Sequence, residues 1–276
     1  MTAPIGVFDS GVGGLTVLRA LRAAMPEENF IYLGDTARLP YGTKSAETVV
    51  RYSLQCASAL IERGVRCLVV ACNTVSASAL DALRRHHPTL PVIGVIEPGA
   101  QAAVSASVSQ HIAVIATEGT IAGDAYKTAI HRFSPSARVT SRACSLFVSM
   151  AEEGWTEGPI AEAVARRYLD PIFQSGDAPD TLVLGCTHFP ALAGALSAVL
   201  PPQVVIVDSA ATTAAAVLAQ LHGTGRPPGE RAAPGKAAAH GVVKWLATDG
   251  AARFARVSGT FLGETLPVGA IEIIDL

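Results

Sequence analysis

An α/β fold of two similar domains, each a mostly parallel sheet flanked by helices and with the working site in the cleft between them, is what this sequence predicts. Three observations lead there. Short Val- and Ile-rich runs alternate with Ala- and Leu-rich stretches of helical length, the order that lays parallel strands side by side and puts helices on both faces. Two strand ends align without a gap, Leu68-Val-Val-Ala-Cys72-Asn-Thr74 and Leu182-Val-Leu-Gly-Cys186-Thr-His188. The chain has 276 residues, enough for two domains at about 150 residues each.

Taken in order, residues 5–8 form a short apolar run closed by Asp9, which opens a Gly-rich turn into a helix over 15–24. Residues 30–33 are a second strand, and 45–63 have helical length and composition. The run 67–71 ends at Cys72 and passes into a helix over 75–85. A strand at 92–96 meets Pro98 and a new helix, which places a domain boundary at Glu97-Pro98. Strands at 112–116, 181–184 and 204–207 alternate with helices ending near Glu152 and covering 160–168 and 191–200. Ile5-Gly-Val-Phe-Asp9-Ser10 is echoed by Ile112-Ala-Val-Ile-Ala116-Thr117, again with a hydroxyl after the strand. The Gly-, Pro- and Arg-rich stretch 223–236 reads as a surface connection without catalytic use. The tail, with runs at 242–246 and 271–274 around a helix at 251–257, attaches to the first domain. The expected domains are therefore 1–97 plus 208–276, and 98–207.

Composition narrows the partners. Lys and Arg number 21 against 23 Asp and Glu, a net charge of −2, which offers no footprint for a phosphate backbone or an anionic membrane. No apolar run approaches the roughly 18 residues of a membrane span. The opening MTAPIGVFDS has neither a basic region nor a long apolar one. The expectation is a cytoplasmic protein that acts on a small molecule, with no nucleic acid and no membrane. The 5 cysteines lack framework spacing and are expected to stay thiols.

In a parallel α/β sheet ligands bind beyond the carboxyl ends of the strands, so residues there are the candidates. Cys72 and Cys186 each end a strand and precede a helix, whose positive end lowers a thiol from its usual value of about 8.5. One from each half, they are placed to face each other across a cleft. Asp9 begins Asp9-Ser-Gly-Val-Gly-Gly14, whose backbone N–H groups suit an anion. With Thr16 where a dinucleotide fingerprint needs glycine, a carboxylate fits this turn better than pyrophosphate. His188 lies two residues beyond Cys186, in reach of the same thiol. The loop Gly34-Asp-Thr-Ala-Arg-Leu-Pro-Tyr41-Gly42 follows the second strand, and Glu152 and Glu153 end a helix, where an exposed face is their usual explanation. No CxxC pair or HExxH motif supports a metal.

Together these residues resemble the glutamate racemases of the aspartate/glutamate racemase superfamily. The resemblance is carried by Ile5-Gly-Val-Phe-Asp-Ser-Gly-Val-Gly-Gly-Leu-Thr16, Tyr32-Leu-Gly-Asp-Thr-Ala-Arg-Leu-Pro-Tyr-Gly42, Ala71-Cys-Asn-Thr74, Ala116-Thr-Glu-Gly-Thr120 and Leu184-Gly-Cys-Thr-His-Phe-Pro190. It implies an isomerase that interconverts L- and D-glutamate by two-cysteine proton transfer at Cα, with no cofactor and no metal. It further implies a homodimer that supplies D-glutamate for peptidoglycan synthesis, cell-wall biogenesis and cell shape. By the same resemblance Cys72 takes the proton from D-glutamate and Cys186 from L-glutamate. Asp9 assists Cys72, His188 assists Cys186, and Glu152 is a further assistant. Ser10, Tyr41, Gly42, Asn73, Thr74, Thr117, Thr120, Thr187 and His188 form the shell around the substrate. The sequence departs from the family pattern at Ser145 and Ser149, where prolines are common, and at Gly123, where a hydroxyl residue is frequent.

Three rivals share these observations. A racemase of aspartate or of a hydantoin keeps the scaffold and both thiols. A non-catalytic binding module on the same fold makes the thiols dispensable. A thiol-redox enzyme needs two cysteines close enough to bridge.

Overall fold

Continuous apolar runs bounded by polar turns become strands buried on both faces, as parallel sheets require. A computed structural model describes residues 3–222 and 241–276; the stretch 223–236 lies outside the described residues. The chain begins β1 (Ile5–Asp9), α1 (Leu15–Ala24), β2 (Phe30–Gly34), α2 (Ala46–Ile61), β3 (Cys67–Val70), α3 (Asn73–Ser78), α4 (Leu80–His86) and β4 (Val92–Gly94). It continues through α5 (Ile96–Ala106), β5 (His111–Ala116), α6 (Glu118–Ala122), α7 (Ala125–Phe133), β6 (Arg138–Ala143), α8 (Leu146–Glu152), α9 (Gly158–Phe173), β7 (Thr181–Gly185), α10 (Ala193–Val199), β8 (Val205–Asp208) and α11 (Ser209–His222). Beyond residue 240 follow β9 (Val243–Ala247), α12 (Ala251–Leu262) and β10 (Ile271–Ile273).

Two sheets result, and every pairing in them is parallel. The six-stranded sheet runs β10-β9-β2-β1-β3-β4 and the four-stranded sheet β6-β5-β7-β8. In the larger sheet Ile5 of β1 stands opposite both Phe30 and Cys67, and Phe30 opposite Val243. One face of that sheet buries Phe8, Leu33, Leu68 and Val70 against Val49, Leu60 and Leu83. The other face buries Val7, Tyr32 and Trp245 with Leu15, Leu18, Phe254 and Phe261, in a core that continues through Ala100, Ala103 and Val217 to Val114 and Leu182 of the smaller sheet. The two sheets are thus joined by one apolar core, with α11 packed on both α1 and α5. No described helix is long and apolar enough to cross a membrane.

Three local expectations are revised. The helix expected over 75–85 breaks at Ala79, whose φ of −122° turns the chain and seats Leu80 over Gly94, where a Cβ would come within 2.8 Å of Leu80 Cδ2. The strand expected over 92–96 stops at Gly94, because Ile96 opens α5 with Pro98 in its first turn, where a missing N–H goes unused. The edge strand β6 has no apolar run to announce it: its sequence RVTSRA is exposed or half-buried throughout.

Candidate active site

The carboxyl ends of the central strands of both sheets open into one cavity of about 280 Å³. From β1 comes Ser10, from β3 Cys72, Asn73 and Thr74, from β5 Thr117 with Thr120 one turn on, and from β7 Cys186, Thr187 and His188. The loop after β2 adds Tyr41 and Gly42, and the end of α8 adds Glu152. Every residue expected above to act in catalysis or to bind substrate lines this cavity except Asp9, which is buried at the end of β1; Glu153 and Gly123 do not line it.

Cys72 caps α3 and its thiol donates to Ser10 Oγ at 3.3 Å. Burial, and after it the Asp9 carboxylate, push this thiol up to about 12, against the pull of Ser10 and the Val75 N–H. The helix end therefore does not leave a free thiolate here: desolvation outweighs it. The Gly-rich turn also departs from expectation. It holds a carboxylate, but that of Asp9 itself, whose Oδ2 accepts the Gly11 N–H at 2.9 Å. Burial raises the Asp9 pKa, with His188 and the N–H groups of Gly14 and Gly11 opposing.

Cys186 has different surroundings. A 3-10 turn at Phe189–Leu192, not an α-helix, follows it, so its cationic partner is a side chain. Its Sγ contacts His188 Nδ1 at 3.8 Å, and His188 Nε2 meets Glu152 Oε1 at 3.0 Å. Burial alone would depress the imidazole, yet the hydrogen bonds to Cys186 and Glu152 hold it up at about 10. Burial would raise Glu152, but His188, Arg253 and Arg256 together keep it below the usual carboxylate value. The two thiols thus sit in unlike settings: a neutral thiol beside a buried carboxylate, and a thiol beside an imidazolium.

Hydroxyls and amides complete the lining. Thr74 of α3, beyond the larger sheet, reaches Thr117 and Thr120 at the start of α6, beyond the smaller one, each pair 3.1 Å apart, and those two also lie 3.1 Å from each other. Tyr126 donates to Asn73 Oδ1 at 2.7 Å, leaving Asn73 Nδ2 buried without a hydrogen-bond partner among the described residues. Gly42 faces Thr117, where a Cβ would approach within 2.9 Å. The Tyr41 hydroxyl donates to Asp35, which also accepts Arg38 Nε at 2.7 Å and the Thr248 hydroxyl at 2.8 Å. The Leu39–Pro40 peptide in this loop is cis.

Sequence reasoning missed four contributors. Gly13 lies in the Gly-rich turn but was not distinguished from its neighbours; a Cβ there would stand 2.4 Å from His188 Nδ1 and from Thr187 Oγ1. Asp35 and Thr248 hold the Tyr41 loop from behind, and Arg253 of α12 donates to Glu152 Oε2 at 2.6 Å. Nothing local in the sequence marks the last two, which reach the site only because β9 joins the larger sheet beside β2. Ser145 and Ser149, where the family pattern has prolines, line the cavity rim with Val148.

The raised His188 has a consequence for stability. A group whose pKa is higher folded than unfolded stabilises fully below its unfolded value, here 6.5, and that contribution is lost as pH rises toward about 10. Between 6.5 and the ordinary thiol value of 9.0, His188 dominates the slope. Above it, the raised thiols of Cys67, Cys72 and Cys144 act in the same direction. Denaturant unfolding is expected to show stability falling from pH 6.5 to 9.0, and His188→Gln to flatten that interval; an unchanged slope in the variant would remove the assignment.

Comparison with known proteins agrees with this fold. A profile described as Asp/Glu/Hydantoin racemase matches residues 15–217. Glutamate racemase of Geobacter metallireducens is 50% identical over 262 residues, covering 95% of this chain and 93% of the relative. Among solved structures, the Francisella tularensis glutamate racemase in complex with D-glutamate superimposes with a TM-score of 0.85 at 34% identity, over 99% of this chain and 97% of that one. The Thermus thermophilus glutamate racemase in complex with β-chloro-D-alanine gives 0.83 at 40% identity, over 99% and 97%. With two parallel sheets, a pair of strand-end cysteines in one cavity and likeness along nearly its whole length, the chain belongs to the Asp/Glu/hydantoin racemase family, on its glutamate racemase branch.

Proposed function

We propose that this protein interconverts L- and D-glutamate by moving the Cα proton between Cys72 and Cys186, without a cofactor. The observation that carries the reading is the arrangement of the two thiols: each ends a central strand of a different sheet, and both open into one small cavity. Inversion needs a base on one face of Cα and an acid on the other. A thiolate and a thiol supply both. With L-glutamate bound, the Cys186 thiolate takes the Cα proton while the Cys72 thiol delivers its own to the opposite face. The products are D-glutamate, a Cys186 thiol and a Cys72 thiolate, and the reverse reaction exchanges the roles.

The two thiols have unlike neighbours. His188, protonated at neutral pH, steadies negative charge on Cys186, whereas burial beside Asp9 keeps Cys72 protonated. Ser10, Asn73, Thr74, Thr117, Thr120 and Thr187, with Tyr41 and Gly42 behind them, offer hydrogen bonds to the two carboxylates and the ammonium. Such fixed donors in a site shielded from water are what a carbanion-like transition state requires. The two domains are assigned to 1–97 plus 208–276, and 98–207, with the substrate between them. The product D-glutamate feeds peptidoglycan synthesis in the cytoplasm, and with it cell-wall biogenesis and cell shape. The protein acts as a homodimer.

The test is incubation of metal-stripped, cofactor-free protein with D-glutamate and separately with D-aspartate in D2O, following Cα deuteration together with optical rotation. Deuteration and loss of rotation confined to glutamate is expected. Activity on aspartate alone would move the assignment to a sister racemase, and silence on both would overturn it.

A further inference from the structure

We propose that Arg253, on the C-terminal helix α12, is a positioning residue for the reaction: it fixes the Glu152 carboxylate that orients His188 against the Cys186 thiol. The inference rests on the glutamate racemase reading given above and adds to it a residue from the tail, the part of the chain that carries least of the family motifs.

The geometry is a four-member line that crosses between the sheets. Cys186 Sγ meets His188 Nδ1 at 3.8 Å, His188 Nε2 meets Glu152 Oε1 at 3.0 Å, and Arg253 donates to Glu152 Oε2 at 2.6 Å. The two carboxylate oxygens of Glu152 thus have one partner each. A carboxylate held at one oxygen alone turns about its last bond, and the imidazole it holds then turns with it. With both oxygens engaged the plane is fixed, and Nδ1 stays aimed at the sulfur. The Phe261 ring, 5.0 Å away between ring centroids and also on α12, packs against the imidazole as well. One helix therefore supplies both the wall behind the imidazole and the cation behind its carboxylate.

The burial pattern separates this role from a stabilising one. The Arg253 side chain is 51% exposed and that of Glu152 only 12%. An ion pair with one partner this exposed contributes little to folding. Its charge still acts on the shielded carboxylate and, through it, on the imidazole. Arg253 also lines the main cavity and a second, smaller hollow of about 160 Å³.

Its charge has company. Glu152 also feels Arg256 from the same helix, and His188 faces Cys186 and Glu152 with Asp9 from β1 opposite. Removing one cation from this group raises the proton affinity of those that remain. The pH limbs of kcat/KM should therefore move upward together.

The experiment compares wild type, Arg253→Gln and Arg253→Lys. Because the equilibrium constant of a racemisation is unity, kcat/KM must change equally in the two directions, so direction alone is uninformative. Arg253→Gln is expected to lower kcat/KM about tenfold, to shift the pH profile upward and to leave the melting temperature nearly unchanged. Arg253→Lys is expected to restore the profile and recover part of the rate. The His188 imidazole is also titrated by NMR in all three proteins, a readout that needs no turnover; its midpoint moves in Arg253→Gln and returns in Arg253→Lys. Inactive wild type would reject glutamate racemisation while the titration still judges the Arg253 coupling. A profile and a His188 midpoint unmoved in Arg253→Gln would overturn the proposal, whatever happens to the rate.

Discussion

Replacing either Cys72 or Cys186 by alanine is expected to end racemisation in both directions while the fold persists. A positioned general acid or base is worth about 10² to 10⁴ in rate, and each variant lacks one of the two that inversion needs. The remaining thiol still has a proton partner on its own face. Cys72→Ala should therefore retain slow deuterium wash-in at Cα of L-glutamate alone, and Cys186→Ala at Cα of D-glutamate alone, without change of configuration. Circular dichroism reads inversion and mass spectrometry reads exchange in the same tube. Full activity in either variant would eliminate the two-thiol mechanism. Wash-in with the opposite enantiomer would keep the mechanism and reverse the assignment of faces. Both sites are buried, and removing one sulfur from each leaves a void smaller than those behind the large losses of core truncations, so the unfolding transition should remain cooperative.

Gly13→Ala is expected to be nearly as damaging, for a steric rather than a chemical reason. The new methyl would stand 2.4 Å from both His188 Nδ1 and Thr187 Oγ1, closer than any real contact. The imidazole and the Thr187 backbone are both held. His188 is held by Glu152 and Phe261, and the Thr187 carbonyl accepts the Thr16 hydroxyl at 3.1 Å. The turn before α1 must then back away from the second sheet, or the imidazole must leave the Cys186 thiol. Overpacking of this kind costs about 1–3 kcal/mol of stability, and a displacement near 1 Å at the reacting groups costs about 10² in rate. Gly123→Ala is the control, since a Cβ there meets nothing within 4 Å. Equal activity of Gly13→Ala and wild type would show that the close approach is not needed for catalysis.

Much of this protein was legible in one dimension. The fold class follows from Ile5-Gly-Val-Phe and its counterparts, because an apolar run too short for a helix and without polar alternation has to be a strand covered on both faces. The two thiols follow from repetition: the same strand end, written twice, marks a place where the fold brings chemistry to the surface of a sheet. His188 is legible because it lies two residues from Cys186. The strand-end echo also put a hydroxyl after two of those strands, at Ser10 and Thr117, whereas Asn73 and Thr187 were named from the family resemblance.

Tertiary structure alone decided what those groups experience. A thiol at the start of a helix reads as acidic, yet at Cys72 burial and Asp9 prevail and the proton stays, since desolvation depends on neighbours that local sequence does not show. At Cys186 the helix is replaced by a 3-10 turn, and the cation comes from a histidine fixed by Glu152 of α8 and, through it, Arg253 of α12. Thr248 on Asp35 and Arg253 on Glu152 reach the site only because β9 pairs with β2. Residue types and local spacing are properties of the chain, and they determined which groups take part. The charge each group carries and the direction it faces depend on contacts between segments far apart in sequence, and only the packed fold decides those.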